Sequence, residues 1–388
     1  MAEAAFLAVL IFSKKNKSVA DYLLAIWMIF IGLQLLFHYF YYTKLDLKYT
    51  HLLGISAFFP LLQGPFLFVY VAILINEKGK FKKSYLWHAL PFIFFMTYGM
   101  FDFYLLGAEK KLEYYLIIDK SAPFLYSIGF FLNISLGPFY LLWSLLLLKR
   151  HKRNIINKFS YTEQINLNWL VYVLISMALV WFTVLITTII NDILELLPIE
   201  FGSDLIYISV TIAVFIMGYF GFRQQSIYTN VSIESARVAL KNHAVKEQNQ
   251  APNIKIESFR QQAERYGKSG LKDSEAVTYL DKLLQFMDKE KPYLDNNLSL
   301  KHFAELMNLS TNHLSQIINE KLNKNFFDFI NEYRVNEVKQ YLSNPKFKHY
   351  TLLAIAYESG FNSKSSFNSI FKKNTGLTPS EFQKNLED

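Results

Sequence analysis

Long apolar runs dominate the first 222 residues and restrict what this chain can fold into. A membrane-crossing helix needs about 20 mostly apolar residues. Six runs reach that length: Tyr22 to Tyr42, Leu52 to Ile75, Tyr85 to Leu106, Pro123 to Leu148, Leu167 to Ile190 and Leu205 to Phe222. Ahead of them Ala4 to Phe12 is apolar but short. It fits a truncated first helix, a re-entrant segment or a short span in thinned lipid. A cleaved signal peptide fits less well, because no basic residue precedes the run. The expectation for residues 1–222 is a polytopic helical bundle of about seven segments.

Lysine and arginine in the short loops set its orientation. Lys14, Lys15 and Lys17 follow the first segment, Lys78, Lys80, Lys82 and Lys83 the third, and Lys149, Arg150, Lys152, Arg153 and Lys158 the fifth. The alternate loops carry only Lys44 and Lys48, then Lys110, Lys111 and Lys120, then an acidic stretch from Asn191 to Asp204. The basic set belongs in the cytoplasm, so the chain leaves the last segment at Arg223 on that side. This parity does not depend on the first segment.

Gln34, His38, Gln63, His88, Asp102 and Asn133 interrupt the apolar runs. Intramembrane polar groups are costly and are often functional. Two readings stand: hydrogen bonding between helices or near headgroups, and a ligand pocket. Within these runs there is no nucleophile with a base, no acidic pair at helical spacing and no HExxH, so neither catalytic residues nor an enzyme are expected. The chain has no cysteine, which excludes disulfides and thiolate chemistry. His38, His51 and His88 lack the spacing of a metal site, and no metal or other cofactor is expected.

Residues 223–270 are polar and without strong periodicity, as in "KNHAVKEQNQAPNIKIESFRQQAERYGKSG", and read as a cytoplasmic linker. Residues 271–291 form an amphipathic helix that Pro292 stops, with Val277, Leu280, Leu284 and Met287 as its apolar stripe. That stripe either packs on its own domain or dimerises.

Residues 292–388 contain an internal repeat. "SLKHFAELMNLSTNHLSQIINEKLNKNFFDFI" and "TLLAIAYESGFNSKSSFNSIFKKNTGLTPSEFQ" align with Leu300 on Leu352, Ala304 on Ala356 and Leu309 on Phe361. Beyond the turn, Leu314 falls on Phe367 and Ile317 on Ile370, with one extra turn residue in the second copy. Each copy has the parts of a helix-turn-helix. Ser299 or Thr351 caps a first helix, and Asn308 or Gly360 ends it in the left-handed conformation those residue types tolerate. Ser310 or Ser363 then caps a second helix and leaves free amides for phosphate. Its polar face carries Asn312, Ser315, Gln316 and Asn319 in one copy, and Lys364, Ser365, Asn368 and Lys372 in the other. Amides, hydroxyls and lysines of this size suit base edges and phosphates in a major groove. A connecting helix from Phe326 to Leu342 would be about 25 Å long, enough to hold the two second helices about one DNA turn apart. The whole-chain charge is +8, but residues 292–388 contribute only one unit of it, so a DNA-binding surface has to be a local patch.

Through "SLKHFAELMNLSTNHLSQIINE", "FFDFINEYRVNEVKQYL" and "AIAYESGFNSKSSFNSIFKKNTGLTPSEFQK", residues 292–388 resemble the DNA-binding domain of the AraC/XylS family of transcription regulators. Arg334 and Leu342 sit on that family's connecting-helix pattern, and Val338 stands where the pattern usually has alanine. Gly376, Pro379 and Phe382 fit its closing motif, with Asn323 at the matching glycine position of the first copy. The resemblance implies that the second helix of each pair reads double-stranded promoter DNA. It places Asn312, Ser315, Gln316, Lys364, Ser365 and Asn368 at base-contact positions. The membrane half with this tail also resembles a group of bacterial regulators with a multi-span N-terminal region.

The expected fold is therefore all-α, a transmembrane bundle followed by a soluble domain with two helix-turn-helix motifs. The expected protein is a one-component regulator of the bacterial cytoplasmic membrane with its C-terminal domain in the cytoplasm. Its expected partners are promoter DNA, the lipid bilayer, an unidentified signal ligand or membrane partner, and a second copy if the 271–291 stripe dimerises. The alternative is a membrane receptor or transporter whose tail binds proteins.

Overall fold

The computed structural model describes residues 1–76, 79–118, 123–162, 165–194, 196, 199–223 and 273–387. Apart from Arg223, the linker expected over 223–270 lies outside them. The described residues are helical, with no strand among them. The chain divides into two compact units, Met1–Arg150 with Leu167–Arg237, and His151–Asn166 with Val238–Asp388.

The first unit is built from α1 (Ala2–Phe12), α2 (Val19–Tyr42), α3 (Gln63–Ile75), α4 (Leu90–Gly99), α5 (Ala108–Ile118), most of α6 (Phe124–Lys158), α7 (Asn168–Thr188) and α8 (Ile199–Arg223). Ser18 starts α2 with a reciprocal cap: its hydroxyl accepts from the Asp21 amide, while Asp21 accepts from the Ser18 amide. Lys14 donates to Asp21 at 2.6 Å and to the Gly221 carbonyl at 2.7 Å, tying the α1–α2 turn to the last turn of α8. A cation there satisfies carbonyls that the helix end leaves open. Gly218 permits a close crossing, since a Cβ there would lie 2.4 Å from Leu7 Cδ1.

Ile11, Leu24, Trp27, Met28, Leu67, Val71, Leu170, Val173 and Met217 belong to one buried core. The opposite faces stay apolar and exposed, as at Phe6, Phe131, Leu146, Phe182 and Phe215. Apolar surface of that extent marks an interaction face.

Among the described residues four helices are long and apolar enough to cross a membrane: Val19–Tyr42, Phe124–Lys158, Asn168–Asn191 and Phe201–Arg223. Lys83–Tyr104 with Ala108–Tyr114 adds a fifth only if this pair, bent by 114°, counts as one span. Ala2–Phe12 and Phe59–Ile75 are shorter apolar helices. The six clear spans of the sequence reading are therefore not all seen as long helices. Leu53 to Phe58 turn at Gly54 (φ +69°), and Pro60 lies in the short 3-10 turn that precedes α3, so that helix starts late. The segment from Tyr85 runs through a 3-10 stretch, α4 and the π-turn Met100–Tyr104, and ends there.

Several polar residues of this unit pair with one another or with backbone, while the Asn133 and Asn191 Oδ1 atoms are buried without a hydrogen-bond partner among the described residues. Trp27 Nε1 donates to Gln63 Oε1 at 2.6 Å, and Gln63 Nε2 donates to Gln34 Oε1 at 2.8 Å. His88 Nδ1 lies 2.9 Å from the Tyr140 hydroxyl, Tyr114 donates to Asp102 at 2.5 Å, and Asn133 donates to the Ala57 carbonyl at 3.2 Å. His38 stacks on Tyr207 with ring centroids 3.5 Å apart. Among the described residues no three metal-ligating side chains converge.

The second unit holds α9 (Asp273–Glu290), α10 (Leu300–Leu306), α11 (Thr311–Gln316), α12 (Phe326–Ser343), α13 (Leu352–Glu358), α14 (Lys364–Thr375) and α15 (Pro379–Glu387). It has two cores that share α12. Phe326, Phe329 and Ile330 join Phe303, Leu314 and Ile317 of the first copy. Val335 and Val338, one turn further on, join Ala356, Phe361, Phe367 and Phe371 of the second. One helix thus supplies a wall to each copy and fixes one against the other.

The buried face of α9 is rotated from the stripe read in sequence. Ala276, Leu283 and Met287 are buried, whereas Val277 is 52% exposed. Leu283 and Met287 belong to the core of the first copy, so packing on its own domain occupies this face.

Candidate nucleic-acid interface

Four hydroxyl caps define the two helix pairs. Ser299 accepts from the His302 amide at 3.2 Å and Thr351 from the Ala354 amide at 3.1 Å, opening α10 and α13. Ser310 accepts from the His313 amide and Ser363 from the Ser366 amide, both at 3.1 Å, opening α11 and α14. Each supplies an acceptor for an amide with no partner inside the helix.

The turns match as closely. Asn308 has φ +57° and Gly360 φ +87°. Directly after them Leu309 donates its amide to the Ala304 carbonyl at 2.8 Å, and Phe361 to Ala356 at 3.0 Å. This six-to-one closure is the Schellman end of a helix. The second turn repeats the relation, with Asn323 at φ +51° and Gly376 at φ +81°.

These ends aim the second helix of each pair. Leu314 and Ile317, or Phe367 and Ile370, face the core. The other side carries the residues picked out in sequence. Asn312 and Asn319 are exposed, and Ser315 and Gln316 are half-buried. Lys364, Ser365, Asn368 and Lys372 are all exposed on α14.

The two copies differ in a way the sequence reading missed. α14 is a regular helix of 12 residues, but α11 has 6 and passes into a π-turn over Ile317–Lys321. Asn319 therefore lies on the π-turn, where it donates to Ser315 Oγ at 3.1 Å, while Gln316 donates to Glu320 at 2.9 Å. The first copy presents a hydrogen-bonded polar face and the second an exposed, lysine-bearing one. Lys373 was also missed. It donates to Asp328 at 2.7 Å and links α14 to the first turn of α12.

Beneath this surface, Arg334 is 1% exposed, and burial pushes its pKa down to about 9. Its Nε donates to the Tyr293 carbonyl at 2.8 Å and its Nη2 to the Asp295 carbonyl at 2.7 Å. Glu337, one turn on, accepts from Lys291 and from the Tyr293 hydroxyl at 2.9 Å. These contacts fix the segment ahead of α10 against α12.

Residues 303–385 match the family of AraC-type helix-turn-helix domains, described as "Helix-turn-helix domain". A solved structure of a protein of unknown function from Listeria innocua is 28% identical over 27% of this chain and 95% of that one, with a TM-score of 0.24. Comparison with curated proteins gives no match. The family match makes the C-terminal region a sequence-specific DNA-binding domain, and the chain a regulator of transcription.

Proposed function

We propose that this regulator of transcription is held in the bacterial cytoplasmic membrane by its first 223 residues and reads promoters from the cytoplasmic side. The observation that carries the DNA-reading half is the pair of capped helix-turn-helix copies built on the single helix α12. The membrane half is supported by the four long apolar helices and their exposed apolar faces. The lysine-rich loops support a cytoplasmic C-terminal domain.

Asn312, Ser315, Gln316 and Asn319 on one copy and Lys364, Ser365, Asn368 and Lys372 on the other are the proposed DNA contacts. Ser310 and Ser363 act as caps that position them. α14, with its exposed lysines, carries most of the phosphate attraction, and the amides and hydroxyls read base edges. The membrane half acts as a sensor of a ligand or membrane partner, and its polar pairs are where one would be felt. A signal acts only by stabilising one arrangement of the chain over another. A homodimer would use a surface other than Leu283 and Met287, which lie in the first core.

The test is genome-wide DNA crosslinking of the tagged full-length chain recovered from the membrane fraction. Discrete promoter fragments should be enriched, and the Lys364→Ala/Asn368→Ala chain should lose them. Equal enrichment by parent and double variant would reject the site assignment. Absence of enrichment in the parent would reject the DNA-reading function.

A further inference from the structure

The second unit contains a segment that the sequence places in the membrane half. His151–Asn166 is the end of α6 and the loop leading to α7. Within the unit, Phe159 forms an antiparallel bridge with Ser299, the cap of the first DNA-reading pair. Ser160, next to it, is 1% exposed.

Every polar atom of Ser160 is bonded to this domain. Its amide and hydroxyl both donate to the Leu298 carbonyl, at 3.2 and 2.7 Å. Its carbonyl accepts from Asn331 Nδ2 at 3.0 Å and from Arg334 Nη1 at 3.1 Å. Its hydroxyl accepts from Arg334 Nη2 at 3.1 Å. A guanidinium has five N–H donors, and a buried one that stays charged at neutral pH needs an acceptor for each. The Tyr293, Asp295 and Asn331 oxygens take three, and Ser160 takes the remaining two.

Arg334 also stands where the two copies meet. It lies on α12 between Ile330 of the first core and Val335 of the second. A Cβ on Gly360, in the turn of the second copy, would fall 3.0 Å from Arg334 Nε. Displacing Ser160 therefore disturbs the cap segment of the first copy and the shared helix together. The last turns of α6, directly ahead of Phe159, carry Lys149, Arg150, Lys152, Arg153 and Lys158, the strongest cytoplasmic signal in the sequence. Loop and domain are thus expected on one side of the membrane.

We propose that residues 159–160 are the membrane half's docking segment on the DNA-binding domain, seated on Leu298, Ser299, Asn331 and Arg334, and that their release or retention sets DNA occupancy. The regulatory part rests on the DNA-reading function proposed above. The docking part does not.

The chain has no cysteine, which makes the test direct. Residues paired across an antiparallel bridge have Cα atoms about 4.5–5.5 Å apart, within disulfide range. The full-length Phe159→Cys/Ser299→Cys chain, in native membranes and with a protease site engineered into the 224–272 segment, should form an intramolecular disulfide on mild oxidation. After cleavage its fragments should stay joined until reduced, whereas each single-cysteine chain should separate. Failure of the pair to join would overturn the docking. In cells, Ser160→Ala and Ser160→Trp should change promoter occupancy by about fivefold or more, a typical allosteric coupling. The oxidised disulfide should lock occupancy and abolish its response. Unchanged occupancy in all three would overturn the regulatory role, and the disulfide and Ser160→Ala still decide the matter if Ser160→Trp fails to fold. No promoter enrichment in any chain, parent included, would reject the DNA-reading function and the regulatory role with it, while a formed disulfide would still establish the docking.

Discussion

A methyl group built on Gly360 would lie 2.3 Å from the backbone carbonyl oxygen of Tyr293. The turn of the second helix pair thus closes on the segment ahead of the first, and neither backbone can give way cheaply. At Gly376, also at positive φ, nothing lies within 4 Å of the same probe position. The two glycines therefore separate conformational strain from close approach. Gly376→Ala should cost about 1 kcal/mol, the strain of a left-handed alanine. Gly360→Ala should cost about 3 kcal/mol or more, since it adds a backbone clash. Pulse proteolysis of the solubilised full-length chain in denaturant checks both, and equal costs would contradict the contact.

The serine caps provide a second comparison. Ser310→Ala and Ser363→Ala should each destabilise their copy by about 1 kcal/mol. With no shared partner the two should add to within about 0.5 kcal/mol. The same proteolysis assay reads the values. A cost near zero for either would show that its hydroxyl does not cap the helix.

Much of the DNA-reading domain was legible in the amino-acid sequence alone. Its signals are local: a hydroxyl residue at each helix start, Asn308 and Gly360 at the first-helix ends, and apolar residues three apart on the second helices. The break of α11 at Ile317 was not legible, because helix and π-turn differ by a register that side-chain type does not mark. Nor was the buried face of α9, where Ala276 and Leu283, not Val277, are buried. Phe59–Ile75 shows the limit in the membrane half. Composition counted Leu52 to Phe58 as span, while Gly54 and Pro60 turned the chain there. The docking of Ser160 on Leu298 and Arg334 joins residues 138 and 174 positions apart, and no local pattern announces such a contact.

On α14, two residues should behave differently toward DNA. Asn368→Ala should cost about 1–3 kcal/mol of binding and relax discrimination at one base position. Lys372→Ala should weaken binding uniformly across sequences and lower the salt slope by about one. Titrations of the full-length chain in lipid discs, with fragments recovered by crosslinking and at several salt concentrations, distinguish the two. Identical salt slopes for both variants and the parent would contradict these roles.

The two copies should also contribute unequally. Asn319 is already bonded to Ser315, and Gln316 to Glu320, whereas Lys364 and Asn368 of α14 are exposed. The Asn312→Ala/Gln316→Ala chain should therefore lose less affinity than Lys364→Ala/Asn368→Ala in the same titration. The reverse order would make α11 the principal reader.

The most direct measurement is a hydroxyl-radical footprint of the full-length chain, embedded in lipid discs, on a promoter fragment it enriches. Two helix-turn-helix copies on one rigid α12 should protect two stretches on one face of the duplex, about 10 base pairs apart. The Lys364→Ala/Asn368→Ala chain should keep at most the one assigned to α11. An embedded chain that protects no discrete sequence, or two stretches on opposite faces of the duplex, would contradict a membrane-held tandem reader of DNA.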